Sequence, residues 1–199
     1  MMDVQPLLDL IAAAHSDAGV ILVGIGGHGA AGKTTLARMV PGAQIVSTDE
    51  FWDGEAFAIE RLSREVVTPL SRGAVARFSS YDWAARAQRG LRTVEPAGVV
   101  VIEGVCALHR TLRTAYAVRV WVEAPYDLRL ERGVARDGES ARATWVEVWM
   151  PSEDRYVERD DPVSSAHVVV DGSVGVEVEA AQSGSVDAAP RRSALGNGP

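Results

Sequence analysis

Lysine is almost missing from this chain: of 20 basic residues only Lys33 is a lysine, and the rest are arginine. Cysteine occurs once, at Cys106, which excludes an internal disulfide and a cysteine-rich metal site. The four histidines, His15, His28, His109 and His167, share no metal-ligand spacing. No apolar run approaches the ~18 residues of a membrane span, and no basic stretch precedes an apolar one near the N-terminus. A positive surface is scarce too: a net charge of −7 argues against a general nucleic-acid binder, whose phosphate contacts need a basic face. These absences leave the expectation of a soluble, cytoplasmic protein with no nucleic-acid or membrane partner. At 199 residues, 47% of them hydrophobic, there is enough chain for one well-buried domain.

The lone lysine falls in the most informative stretch, residues 20–38, VILVGIGGHGAAGKTTLAR. An apolar run ends in glycines, and Gly27, Gly32, Lys33 and Thr34 match G-x-x-x-x-G-K-[ST] without a mismatch. A buried strand that empties into a glycine-rich turn and then a helix N-terminus aims backbone N–H groups at phosphate oxygens. Gly27, His28, Gly29, Ala30, Ala31, Gly32, Lys33, Thr34 and Thr35 are therefore the expected nucleotide-binding segment. In that pattern Lys33 reaches the β- and γ-phosphates and the Thr34 hydroxyl serves Mg²⁺.

Strand-like and helix-like stretches alternate along the rest. Helical spacing marks residues 4–15, and the helix from Lys33 should stop near Val40, ahead of Pro41. A short strand at 43–47 empties into Thr48, Asp49, Glu50, Phe51 and Trp52, and helical spacing returns at 57–72. Residues 73–80 read as a connector with an extended piece at 75–78. Residues 98–103 form the most β-branched run, ending in Glu103-Gly104. A short helix at 107–114, a strand at 117–123, an arginine-studded helix at 125–137, a helix at 144–159 interrupted by Pro151, and a last strand at 166–171 complete the domain. Beyond Gly172 the composition turns to Gly, Ser, Ala and Pro, so 1–172 is the expected domain and 173–199 a disordered tail, with at most a marginal strand at 174–178. The alternation predicts an α/β domain with a mainly parallel, five-stranded sheet.

Four groups beyond the phosphate loop carry chemistry. Asp49, leaving the second strand, suits a carboxylate that takes the proton of an attacking hydroxyl; the competing reading is a helix N-cap. Glu103, ending the central strand, suits a residue that orders Mg²⁺. Arg129, Arg132 and Arg136 share a helix side, with Arg142 close behind; either they neutralise a transferring phosphoryl group, Arg132 and Arg136 foremost, or they form a solvated face paired with Glu131 and Asp137. Tyr81, Asp82, Trp83 and Arg86 suit a planar polar acceptor or a packed connector.

With these pieces in place the chain resembles the uridine kinase family of P-loop kinases, related to phosphoribulokinase and bacterial pantothenate kinase. GIGGHGAAGKTTLA matches its phosphate loop, TDEFW its Asp-x-Phe-Tyr element, SSYDW its Tyr-Asp-aromatic element, VVVIEGVCAL its Glu-Gly strand and RLERGVARD its arginine-rich lid. The resemblance implies a three-layer α/β/α P-loop fold. It also implies ATP or GTP as donor, Mg²⁺ as cofactor and a small-molecule acceptor, and it leaves a homo-oligomer open. It makes Asp49 the base, brings Arg132 and Arg136 to the phosphates and places Tyr81 at the acceptor. The departures fall on the acceptor side. The family's acidic segment is reduced to Asp53-Gly54-Glu55, Phe57-Ala58-Ile59 stands where many members have Phe-Asp-Trp, and Arg86 replaces a histidine. A uridine or cytidine kinase is the first expectation; a P-loop kinase for another acceptor (pantothenate-like, a phosphosugar or a nucleoside monophosphate) and a non-catalytic nucleotide-binding module are its rivals.

Overall fold

Apolar side chains alternate along the strands and so sort the chain into layers. The computed structural model describes residues 2–83 and 85–174; the expected tail, from 175 onward, lies outside them. Among the described residues seven strands form: β1 (Val20–Gly27), β2 (Gln44–Ser47), β3 (Ala76–Asp82), β4 (Ala87–Val94), β5 (Gly98–Glu103), β6 (Val118–Glu123) and β7 (Val168–Asp171). Five make one parallel sheet in the order β2-β5-β1-β6-β7, and β3 and β4 make an antiparallel hairpin apart from it. On one sheet face lie Leu22, Val100, Ile102 and Trp121; on the other, Val23, Ile25, Val101, Val120 and Val122. That period of two is what a strand buried on both faces requires.

Helices α1 (Gln5–Ala13) and α2 (Lys33–Arg38) cover the second face through Leu7 and Leu36. The first face is covered by α3 (Ile59–Leu62), which runs through a π-helical turn (Ser63–Val67) into α4 (Thr68–Ser71). After β6 come α5 (Tyr126–Asp137) and α6 (Arg142–Thr144), and a second π-helical turn (Trp145–Trp149) leads into α7 (Met150–Asp160). Val134, Ala141, Trp145 and Met150 give these last helices a small core of their own.

Three expectations are corrected. Pro151 does not interrupt the helical run, because the π turn ahead of it widens the backbone where a proline ring would clash with the preceding turn. The same pairing of π turn and proline recurs at Ser63–Val67 and Pro69. Residues 107–114 are turns followed by a short 3-10 piece (Arg113–Ala115), tied to α7 through Arg110 and Arg113. The extended piece expected at 75–78 within the 73–80 connector lies in a longer strand, β3, that runs on to Asp82, and β4 was not expected at all. Seven of its eight residues are exposed or partly exposed, so it shows no apolar alternation to read.

Candidate active site

The carboxyl ends of β1, β2 and β5 converge on one polar cleft. The loop after β1 wraps into α2, with Ala30 held at φ 59°, in the left-handed region. The Lys33 Nζ lies buried and donates to the His28 carbonyl at 2.7 Å, which curls the loop around its own cation. Burial pulls the Lys33 pKa down, and Glu103, Glu153 and Asp49 pull it back. The Thr34 hydroxyl donates to Glu103 Oε1 at 3.2 Å. Burial raises the Glu103 pKa, while Lys33 and hydrogen bonds from Ser47 and Thr34 oppose the rise. Gly104, at φ 146°, lets β5 end here: a Cβ would come within 1.8 Å of Thr48 Oγ1.

Asp49 sits on a 3-10 turn (Thr48–Phe51) whose capping box is made by other residues. The Ser47 side chain accepts from the Asp49 N–H, and the Glu50 side chain accepts from the Ser47 N–H. Capping therefore falls to Ser47 and Glu50, and the Asp49 side chain lines the cleft with Lys33, Thr34, Glu103, Arg132 and Arg136. Of the expected loop residues, Gly29, Ala30, Gly32, Lys33, Thr34 and Thr35 line this cleft. His28 supports the loop from behind, its ring edge-on to Trp121 at 5.4 Å and its Nε2 3.4 Å from Asp154. Burial, reinforced by Arg129, lowers its pKa.

The arginines separate by role. Arg132 donates to the carbonyls of Gly172 and Ser173, at 2.7 and 3.2 Å, and so ties down the chain that leaves β7. Arg136 makes a bidentate pair with Asp137 and lies 5.7 Å from the Trp145 ring centre. Arg129 is buried: its Nε donates to the Ala124 carbonyl at 3.0 Å and its Nη1 stands 3.7 Å from Glu153. Arg142 pairs with Glu139 at the surface.

Beside the polar cleft lies a cavity of about 750 Å³ with a different character. Trp52, Phe57, Tyr81, Trp83, Trp149 and Tyr156 line it. The Trp83 ring lies 5.0 Å from Tyr81 and 5.6 Å from Trp52, which in turn meets Phe57 at 5.3 Å. Arg86 lines the cavity from the hairpin. Asp82 does not line it; its carboxylate accepts the Ala85 N–H in the hairpin turn at 3.0 Å. Asp53 likewise closes a turn, accepting from Glu55 and Ala56, and these bonds lower its pKa. Cys106 borders the cavity with its pKa pushed up to about 12 by burial, as an inert thiol would be. The rear wall is pinned by Asp160, which receives Arg110 at 2.9 Å, Arg159 at 2.7 Å and His109 at 3.2 Å.

Two site residues escaped the sequence reading. Glu153 and Val105 line both the cleft and the cavity and form the seam between them. Val105, two residues past Glu103, was traceable as the exit of the Glu-Gly strand. Glu153 carried no local signal, since it is one of several acids on an amphipathic helix.

No family model matches the chain. It is 28% identical over 135 residues to "Inorganic pyrophosphatase TTM2" of Arabidopsis thaliana, covering 60% of this chain and 20% of that protein. It is 26% identical over 178 residues to "Uridine-cytidine kinase C" of Dictyostelium discoideum, covering 77% of this chain and 40% of that protein. The match thus spans well under half the length of these two relatives. In fold it is similar to the structure titled "a Possible Uridine Kinase from Bacillus stearothermophilus", with a TM-score of 0.64 at 19% identity, covering 83% of this chain and 96% of that one. The likeness is one of fold: a mainly parallel five-stranded sheet with flanking helices. The likenesses to the uridine-cytidine kinase and to the possible uridine kinase support a uridine kinase-like family. Among the described residues no helix is long and apolar enough to cross a membrane.

Proposed function

We propose that this uridine kinase-like chain is a phosphotransferase that moves the γ-phosphoryl group of ATP to a hydroxyl of a small, ring-bearing acceptor, a pyrimidine nucleoside first among them. One observation carries the reading: the polar cleft and the aromatic cavity share a wall at Val105 and Glu153. A planar ring stacked between Trp52, Trp83 and Tyr81 would then present its hydroxyl toward Asp49 and the end of the triphosphate.

The cleft suits Mg²⁺. Among the described residues no protein-only cluster of three or more His, Cys, Asp or Glu would hold a metal. Magnesium needs none, since it takes one or two carboxylate or hydroxyl oxygens and fills its shell with phosphate and water. Thr34 and Glu103 offer such hard oxygens 3.2 Å apart, and the Asp49 carboxylate lines the same cleft. Magnesium, when bound, neutralises phosphate charge. The chain's own residues do the rest. Loop N–H groups and Lys33 orient the phosphates, Asp49 accepts the hydroxyl proton, and Arg132 and Arg136 meet the transferring group as the α5–α7 segment closes.

The test is ADP release from labelled ATP across uridine, cytidine, pantothenate, a phosphosugar and a nucleoside monophosphate. Acceptor-dependent release with a pyrimidine nucleoside is the expected result. Release with another member of the panel reassigns the acceptor. ATP binding without acceptor-dependent release overturns the kinase reading in favour of a binding module.

A further inference from the structure

The phosphate loop already holds an anion of the protein's own. The Gly29 N–H donates to Glu153 Oε2 at 2.9 Å, across 124 residues of sequence. Glu153 is a carboxylate from α7 with 7% of its side chain exposed. Gly29 makes the approach possible: a Cβ there would come within 2.6 Å of Glu153 Oε1 and 2.9 Å of the Trp145 ring. The loop N–H groups exist to bind phosphate oxygens, and a carboxylate at one of them occupies that role with the same charge sign.

A second partner stands ready for the same carboxylate. The Arg129 Nη1 lies 3.7 Å from Glu153 Oε2, too far for a hydrogen bond. Among the described residues it is a buried donor with no hydrogen-bond acceptor. Such a donor is costly to leave unmet, so a short shift of Glu153 from Gly29 toward Arg129 exchanges one satisfied group for another.

We infer that Glu153 is a positioning residue that occupies the phosphate loop when no nucleotide is bound and yields Gly29 to a phosphate oxygen by moving onto Arg129. The inference rests on the phosphate-binding reading of the cleft. Because Glu153 also walls the aromatic cavity, its displacement reshapes the acceptor side as the donor binds. The carboxylate therefore lowers intrinsic phosphate affinity and links the two cavities.

Titration calorimetry of the full chain with inorganic tripolyphosphate, for the wild type, Glu153→Gln and Glu153→Ala, tests this. Glu153→Gln keeps the size and the Gly29 acceptor while removing the competing charge, and is expected to bind tripolyphosphate about tenfold more tightly or better. Glu153→Ala should follow in the same direction. A carboxylate that merely braces the loop predicts the reverse, weaker binding with a lowered Tm in both variants, and that result overturns the inference. Equal affinity in wild type and Glu153→Gln also overturns it while leaving the phosphate site standing. Absence of binding in all three removes both the inference and the phosphate-site reading beneath it.

Discussion

The two cavities differ in what builds them. The polar cleft is made largely by backbone and by one contiguous motif: the loop after β1, the first turn of α2, and two carboxylates at the ends of the neighbouring strands β2 and β5. The aromatic cavity is assembled from side chains of four separate stretches: the residues after the 3-10 turn, the β3–β4 hairpin, the turns after β5, and α7. A site built from strand ends inherits the rigidity of the sheet, and its geometry follows from topology. A site built from side chains on surface segments depends on packing among those segments, and its specificity can change while the sheet stays the same.

That contrast can be tested from its strongest end. Asp49→Asn removes a proton acceptor while preserving shape, and kcat is expected to fall by roughly 10²–10⁴-fold with nucleotide binding by calorimetry kept within a few-fold. A variant that turns over like wild type would strip Asp49 of its role and leave the cleft a binding site only.

Asp160→Asn tests how the cavity's rear wall is held. The surrounding arginines and His109 hold the Asp160 carboxyl at about 2, below the usual 3.8, despite its burial. On acidification the unfolded chain takes up this proton first, so the stabilisation is complete above about pH 4 and drains away as pH falls through 2. The pair network is worth roughly 2 kcal/mol at neutral pH. Urea unfolding should show wild type ahead of Asp160→Asn by about that amount at pH 7, with the gap closing near pH 2. A gap that stays constant with pH would assign the loss to shape rather than charge.

The smallest expected effect belongs to the aromatic wall. Trp83→Ala removes the ring shared by Tyr81 and Trp52 and should raise the acceptor KM about tenfold while leaving the KM for ATP unchanged. Equal effects on both substrates would mean that the two cavities are not separate sites.

Legibility in the sequence followed the same division. Lys33, Thr34, Asp49 and Glu103 could be read because each sits at a fixed offset from a strand whose apolar run is unmistakable. The hairpin strand β4 could not, because its exposed faces impose no pattern, and neither could the loop at 107–114, whose Arg110 is held from a distance by Asp160. The arginines were read as a group, yet their partners divide them: Arg132 to the chain after β7, Arg136 to Asp137, Arg129 into the interior. Spacing puts side chains on one helix side but says nothing of what faces them.

By itself, then, the sequence determined a glycine-rich loop between a strand and a helix on a parallel α/β sheet, because that motif is local: a strand, a turn with small side chains, a helix start and one lysine in contiguous order. Only the tertiary structure decided that the loop's Gly29 meets Glu153 of a helix 124 residues away, and that Val105 and Glu153 part a polar cleft from an aromatic cavity. Those contacts join segments whose meeting depends on how the helices pack over the sheet, and no local pattern of residues encodes that meeting.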